Sequence, residues 1–160
     1  MTTETERLEV ERTIKADPAD IFRVLSDPHG HVAIDSSGML MDATGEPATA
    51  VGDSFVVNMD REALNDFPMG LYDVTVVITE FVPDREIAWT IEGVMKPPIG
   101  HIYGYRLAPT DDGTLVTSYY DWSTIDPAYQ GAGIFPIIPE SALRATLGIL
   151  ARTVARNRRA

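Results

Sequence analysis

The 160-residue sequence predicts an α+β fold in which a curved antiparallel sheet of six to seven strands wraps a long C-terminal helix. Three observations predict it. Strand-like runs follow one another without a helical interruption from about residue 38 to residue 122, which gives an antiparallel sheet. Leu143, Leu147, Leu150 and Val154 form one apolar stripe at helical spacing. Two Asp-Pro pairs, at 17–18 and 27–28, punctuate short helices directly after a first strand.

Residues 8–16, "LEVERTIKA", alternate apolar and polar with period two, as a half-buried strand does. Asp17 is then expected to cap a short helix that Pro18 begins. Ile21, Phe22 and Leu25 form its apolar face, and Pro28 ends it near Ser26. A two-turn helix is not stable alone and must lie across something. "HGHVAIDSSG" reads as a second short turn or helix ending at Gly38. "GMLMDATG" gives a strand of about five residues, and "DSFVVNMD" another with Phe55, Val57 and Met59 on one face. "REALNDFPMG" is a loop. "LYDVTVVITEF", "EIAWTIEG" and "HIYGYRLAP" are three further strands, with a tight turn at "PDR". "TDDG" makes a hairpin into the last strand, "TLVTSYYDW". A Gly- and Pro-broken loop over 123–139 leads to the closing helix, expected from 139 or 140 to 156. The short helices would close one open end of the curled sheet.

No repeat, linker or low-complexity segment divides the chain, so residues 1–160 are expected to form one domain, large enough to bury roughly 70% of its unfolded surface. The sequence contains no cysteine, which excludes disulfides and thiolate chemistry. A net charge of −11 argues against nucleic acid as a partner. No apolar run approaches the ~20 residues of a membrane span. The N-terminus, "MTTETERLEV", is polar and acidic, unlike a signal peptide, and a soluble cytoplasmic protein is expected. The arginines at 144, 152, 156, 158 and 159 suit the negative end of a terminal helix; contact with an acidic partner is the other reading.

The order and spacing of "ADPADIFRVLSDPHGHVAID", "VTVVITEFVPDREIAWTIEG", "GYRLAPTDDGTLVTSYYDWS" and the closing amphipathic helix resemble the START-related helix-grip superfamily. The resemblance spans essentially the whole chain and is strongest to the bacterial polyketide cyclase/dehydrase-like group. It implies an apolar cavity between sheet and long helix, and a small hydrophobic, lipid- or polyketide-like ligand. Some such proteins catalyse cyclisation, aromatisation or dehydration; many only bind. Ile34 departs from the pattern, where Trp often precedes the Asp at position 35.

Strand alternation selects the side chains that would face such a cavity. From the strand over 54–60 they are Phe55 and Val57, and from the next Tyr72 and Val74. Trp89 follows, then Tyr103, Tyr105 and Tyr120, with Trp122 on the same side. Phe135 from the long loop and Leu143 and Leu147 from the helix complete the ligand-binding candidates. Aromatics with a polar tip can hold a ligand by a hydrogen bond; the competing reading is that they fill the core. The long loop and "REALNDFPMG", with Leu64, Phe67 and Met69, are expected to border the mouth.

The catalytic candidates are His101, Tyr105 and Tyr120. His101 has a reference pKa near neutrality and is expected beside two tyrosines, or else solvated at the strand's rim. His29 and His31 lie two apart in a loop-like stretch, and no metal-ligand pattern, nucleophile elbow or nucleotide loop occurs. No metal or cofactor is therefore expected. Glu92 and Asp121 fall on outward faces, and Asp35 has capping as its ordinary role. The reading is a ligand-binding protein whose partner is a small hydrophobic molecule, with a second copy of the chain also compatible. The alternatives are a polyketide cyclase, aromatase or dehydratase, and a protein-interaction module.

Overall fold

The computed structural model describes residues 6–159. The element order is β1 (Arg7–Ile14), α1 (Pro18–Ser26), α2 (Pro28–Ile34), β2 (Leu40–Thr44), β3 (Ser54–Asp60), β4 (Leu71–Val82), β5 (Glu86–Glu92), β6 (Ile102–Thr110), β7 (Gly113–Asp121) and α3 (Glu140–Arg159). All seven strands form one antiparallel sheet in the order β1-β7-β6-β5-β4-β3-β2. Every neighbour except β1–β7 is consecutive in the chain. The excursion through α1 and α2 carries the chain from one sheet edge, β1, to the other, β2.

The helices span the gap between those edges. α3 packs on β1 and β7, α2 packs on β2, and α1, α2 and α3 touch one another. Leu143, Leu147, Leu150 and Val154 are all buried against the sheet. Burying one such side chain contributes roughly 2 kcal/mol. That tertiary term, more than helix propensity, holds α3 in place.

Pro18 occupies the first turn of α1, as its sequence position predicts. Asp17, however, makes no side-chain capping bond there. Asp27 does cap: its carboxylate accepts from the His29 N–H at 3.0 Å and starts α2. Gly30 then sits directly on the Val24 carbonyl, where any Cβ would collide. This close crossing is what turns His31 and Ile34 inward together.

The two tight turns form where expected, with Asp84 in the left-handed region between β4 and β5, and Thr110 paired with Gly113 across the β6–β7 hairpin. Strand alternation holds through most of the sheet. Phe55, Val57 and Met59 are buried together, as are Val74, Val76 and Ile78. Between Ile78 and Glu80 the β4–β5 register shifts by one residue. The bulge brings Phe81 onto the core side, where it packs edge-on against Phe22 of α1 at 5.3 Å.

On the outer face Arg7 pairs with Asp121 at 3.0 Å and Arg106 with Glu9 at 2.7 Å. Ala88, placed on this outward face by alternation, is nevertheless buried. Ala88, Gly104 and Tyr119 are neighbours in one cross-strand row. The Tyr119 ring lies across Gly104, and its hydroxyl donates to Glu86 at 2.6 Å.

Candidate functional site

Strands β3 to β6, α2, α3 and the turn after α2 line a partly open cavity of about 170 Å³. Its floor is a set of cross-strand pairs, Val57 opposite Val74, Val76 opposite Ile91, and Trp89 opposite Tyr103. Met59 and Tyr105 extend the floor at either side, and Leu143 and Thr146 of α3 cover it. One end is closed by His31, Ile34 and the 35–40 turn, and Ile138 reaches in from the segment before α3.

The turn is held by its own polar groups. The Asp35 carboxylate accepts from the Ser37 N–H at 3.0 Å, the Ser37 hydroxyl at 2.7 Å and the Leu40 N–H at 3.2 Å. Asp35 follows α2 and so caps no helix start; it shapes the turn that borders the cavity. The Ser36 hydroxyl donates to the Ala142 carbonyl at 3.1 Å, and the Thr146 hydroxyl donates to Ser36 Oγ at 2.9 Å. These two bonds strap the turn to α3.

A continuous array of rings runs through the wall. His31 meets Phe55 edge-on at 5.0 Å and Trp89 at 4.6 Å. Trp89 lies 5.8 Å from Tyr105 and 6.1 Å from Tyr103. Tyr120 stacks behind Tyr103, and His101 Nδ1 is 2.8 Å from the Tyr120 hydroxyl. Phe135 closes the array against His101 at 6.3 Å.

Burial keeps every titratable ring here uncharged at neutral pH. It pushes His31 and His101 each down to about 4. It pushes Tyr120 up to about 12, and raises Tyr103 and Tyr105 as well. No lysine or arginine lines the cavity. Among the described residues no group of three or more His, Asp or Glu could hold a metal ion. The arrangement can enclose an apolar ring and offer it neutral hydrogen-bond partners.

Of the residues singled out from sequence, Val57, Val74, Trp89, Tyr103, Tyr105 and Leu143 line the cavity. Tyr120 and Leu147 are fully buried behind the wall, Phe55 backs His31, and Phe135 covers His101. Tyr72 is half-buried and lies outside the lining. His101 is buried, not solvated at a rim, because Tyr103, Tyr120 and Phe135 surround its ring. Leu64, Phe67 and Met69 do not line the cavity, and from the 123–139 loop only Ile138 does.

His31 is among the lining residues that strand alternation could not find, with Ile34, Asp35, Ile138 and Thr146. His29 stays exposed, about 4.0 Å from Asp42, whereas His31 shares the inner face of α2 with Ile34 at i, i+3 spacing. That spacing was the available signal once the segment is read as helix.

No curated protein sequence matches the chain. Solved structures do, and three of them, at 16% to 18% identity, inform about fold alone. Protein CV1439 from Chromobacterium violaceum is 18% identical with a TM-score of 0.66, over 93% of this chain and 96% of that one. DynU16, a protein in the dynemicin biosynthetic locus, is 16% identical with a TM-score of 0.61, over 95% of this chain and 48% of that one. Aha1 from Colwellia psychrerythraea, solved as a dimer, is 18% identical with a TM-score of 0.59, over 92% of this chain and 95% of that one. These neighbours share the helix-grip architecture, a curved antiparallel sheet closed on a long C-terminal helix. Residues 5–155 match the family described as polyketide cyclase / dehydrase and lipid transport, and the chain belongs to that family.

Proposed function

We propose that the protein binds a small hydrophobic or aromatic molecule in the cavity between the sheet and α3. The observation that carries this reading is the cavity itself, apolar on its floor and lined by Trp89, Tyr103 and Tyr105. An apolar cavity of about 150 Å³ accommodates one benzene ring, so about 170 Å³ suits a single ring with short substituents. A full-length lipid chain would need the mouth to widen. The family's description supports a polyketide-like ligand class, and DynU16, from the dynemicin biosynthetic locus, fits a role in small-molecule biosynthesis.

A catalytic role is the second reading, and one contact favours it. The His101–Tyr120 pair lies directly behind the cavity-lining Tyr103. His101 itself does not reach the cavity, so proton transfer would have to pass through the tyrosines. We also carry a homodimer as part of the reading. Leu71 begins β4 and Val94 and Met95 follow β5, which puts these exposed apolar side chains at one end of the antiparallel sheet. No helix among the described residues is long and apolar enough to cross a membrane, and we place the protein in the cytoplasm.

Thermal-shift and native mass spectrometry screens with one-ring and two-ring aromatics test the binding reading. A saturable shift that is lost in Trp89→Ala supports it. Absence of any shift across the set, with the protein folded, rejects it.

A further inference from the structure

The hydrogen-bonding state of His31 is fixed by its anchor. Its Nε2 lies 2.7 Å from the Leu25 backbone carbonyl. A carbonyl oxygen can only accept, so Nε2 carries the proton and donates. The ring is neutral, because burial holds it well below its usual protonation range. Nδ1 is therefore left with a lone pair, on a ring that borders the cavity. The same wall carries the Tyr103 and Tyr105 hydroxyls, which remain protonated and are engaged by Tyr120 and Ser118 respectively. The other polar groups of the lining are already engaged. Asp35 accepts from the Ser37 N–H, the Ser37 hydroxyl and the Leu40 N–H, and the Ser36 and Thr146 hydroxyls bond the Ala142 carbonyl and each other. This leaves His31 Nδ1 as the acceptor without a partner among the described residues.

Charge sets a second limit. Asp35 is the carboxylate in the lining, and no lysine or arginine lines the cavity. The nearby Arg61, which touches the lining Met39 at 3.4 Å, is already paired through its guanidinium with Asp66 at 2.8 Å. An anionic ligand would lose its hydration in a lining that offers it no unpaired cation.

We infer that the ligand is an uncharged one-ring aromatic bearing a hydroxyl, and that this hydroxyl donates its hydrogen bond to His31 Nδ1. This rests on the cavity-binding reading above and adds the chemistry of its ligand. His31 becomes the specificity-determining residue. It selects a donor, while the Trp89 edge contact fixes the ring's plane.

The test compares three probes of nearly equal size, 4-ethylphenol, 4-ethylanisole and 4-ethylbenzoate, by calorimetry and by NMR of the Trp89 indole. Hydrophobicity alone ranks the anisole above the phenol, so the reverse order is diagnostic. The phenol is expected to bind about 10-fold tighter than the anisole, since the anisole leaves a desolvated acceptor unpaired, and the benzoate is expected to bind weakest. In His31→Phe the phenol's advantage should vanish while the anisole's affinity holds. Phenol and anisole binding equally, both perturbing Trp89, overturns the hydroxyl inference and leaves the cavity reading standing. Binding by neither removes both. If His31→Phe fails to fold, the wild-type phenol-to-anisole ratio decides alone.

Discussion

The rings of Tyr103 and Tyr120 lie face to face, with centroids 4.5 Å apart and planes 7° from parallel. They sit opposite each other on β6 and β7, but they belong to different environments. Tyr103 is cavity wall and Tyr120 is core. The pair therefore couples the site to the part of the fold that cannot move without unfolding, and Tyr120 is held in turn by His101 Nδ1 at 2.8 Å. A rigid backing of this kind keeps a binding wall preorganised.

Replacing Tyr120 by Phe keeps the stacked ring and deletes the hydroxyl that His101 meets. The expected loss is about 1–2 kcal/mol of stability, because a buried imidazole nitrogen is left without its partner. Urea denaturation measures it. A variant as stable as the wild type would show that the His101–Tyr120 bond contributes nothing to the fold.

The buried histidines predict a defined pH window. In the unfolded chain each imidazole takes up its proton near the ordinary value of 6.5, and in the folded chain only near 4. Between those values the unfolded state binds more protons, so stability rises with pH. It is full above about 6.5 and falls as the pH drops toward 4, by at most about 3 kcal/mol for each histidine. Glu9, Asp53, Asp66 and Asp121 are held below their usual range and lose their contributions only at still lower pH. The urea midpoint is therefore expected to drop between pH 6.5 and 4.5; a flat midpoint there would contradict neutral burial of His31 and His101.

Gly104→Ala probes the outer face. A Cβ at this position drives into the Tyr119 ring, which must swing away and release Glu86. A cost of about 1–3 kcal/mol is expected, as for other overpacked sites. Tyr119→Ala alone should also destabilise, but the double variant should cost less than the sum of the two. Strict additivity would mean that the ring and the glycine do not contend for the same space.

Most of this architecture is legible in the sequence because period-two alternation and the α3 stripe report burial directly. Phe55, Val57, Val74 and Leu147 needed nothing more. Three features escaped for physical reasons. The β4 bulge carries no local signal, since nothing in "VVITEFVPD" distinguishes an extra residue from a regular strand; Phe81 changes face as a result. His101 precedes its strand; the two neighbouring tyrosines were expected, but Phe135, which helps to bury it, is distant in sequence. Asp35 and Ser36 belong to a turn whose role depends on α3 lying against it, through the hydroxyl pair Ser36 and Thr146. Contacts of that separation leave no periodicity to read.

Leu143 and Leu147 lie one turn apart on α3 and are both buried, but only Leu143 borders the cavity. Truncating each to Ala separates core from site. Leu147→Ala leaves a closed void under the helix and is expected to cost about 2–5 kcal/mol. Leu143→Ala joins its vacated space to a cavity that is already open, so its cost should fall at the low end of that range. Its distinctive effect should be on ligand size. The added room is comparable to that of a few methylene groups, enough for a second ring or a longer alkyl substituent. Two-ring aromatics should therefore gain affinity in Leu143→Ala relative to one-ring probes, whereas Leu147→Ala should leave that ratio unchanged. Thermal denaturation and calorimetric titration with benzene- and naphthalene-based probes measure both quantities. A size preference that shifts equally in the two variants would mean that the ligand does not contact α3 at Leu143.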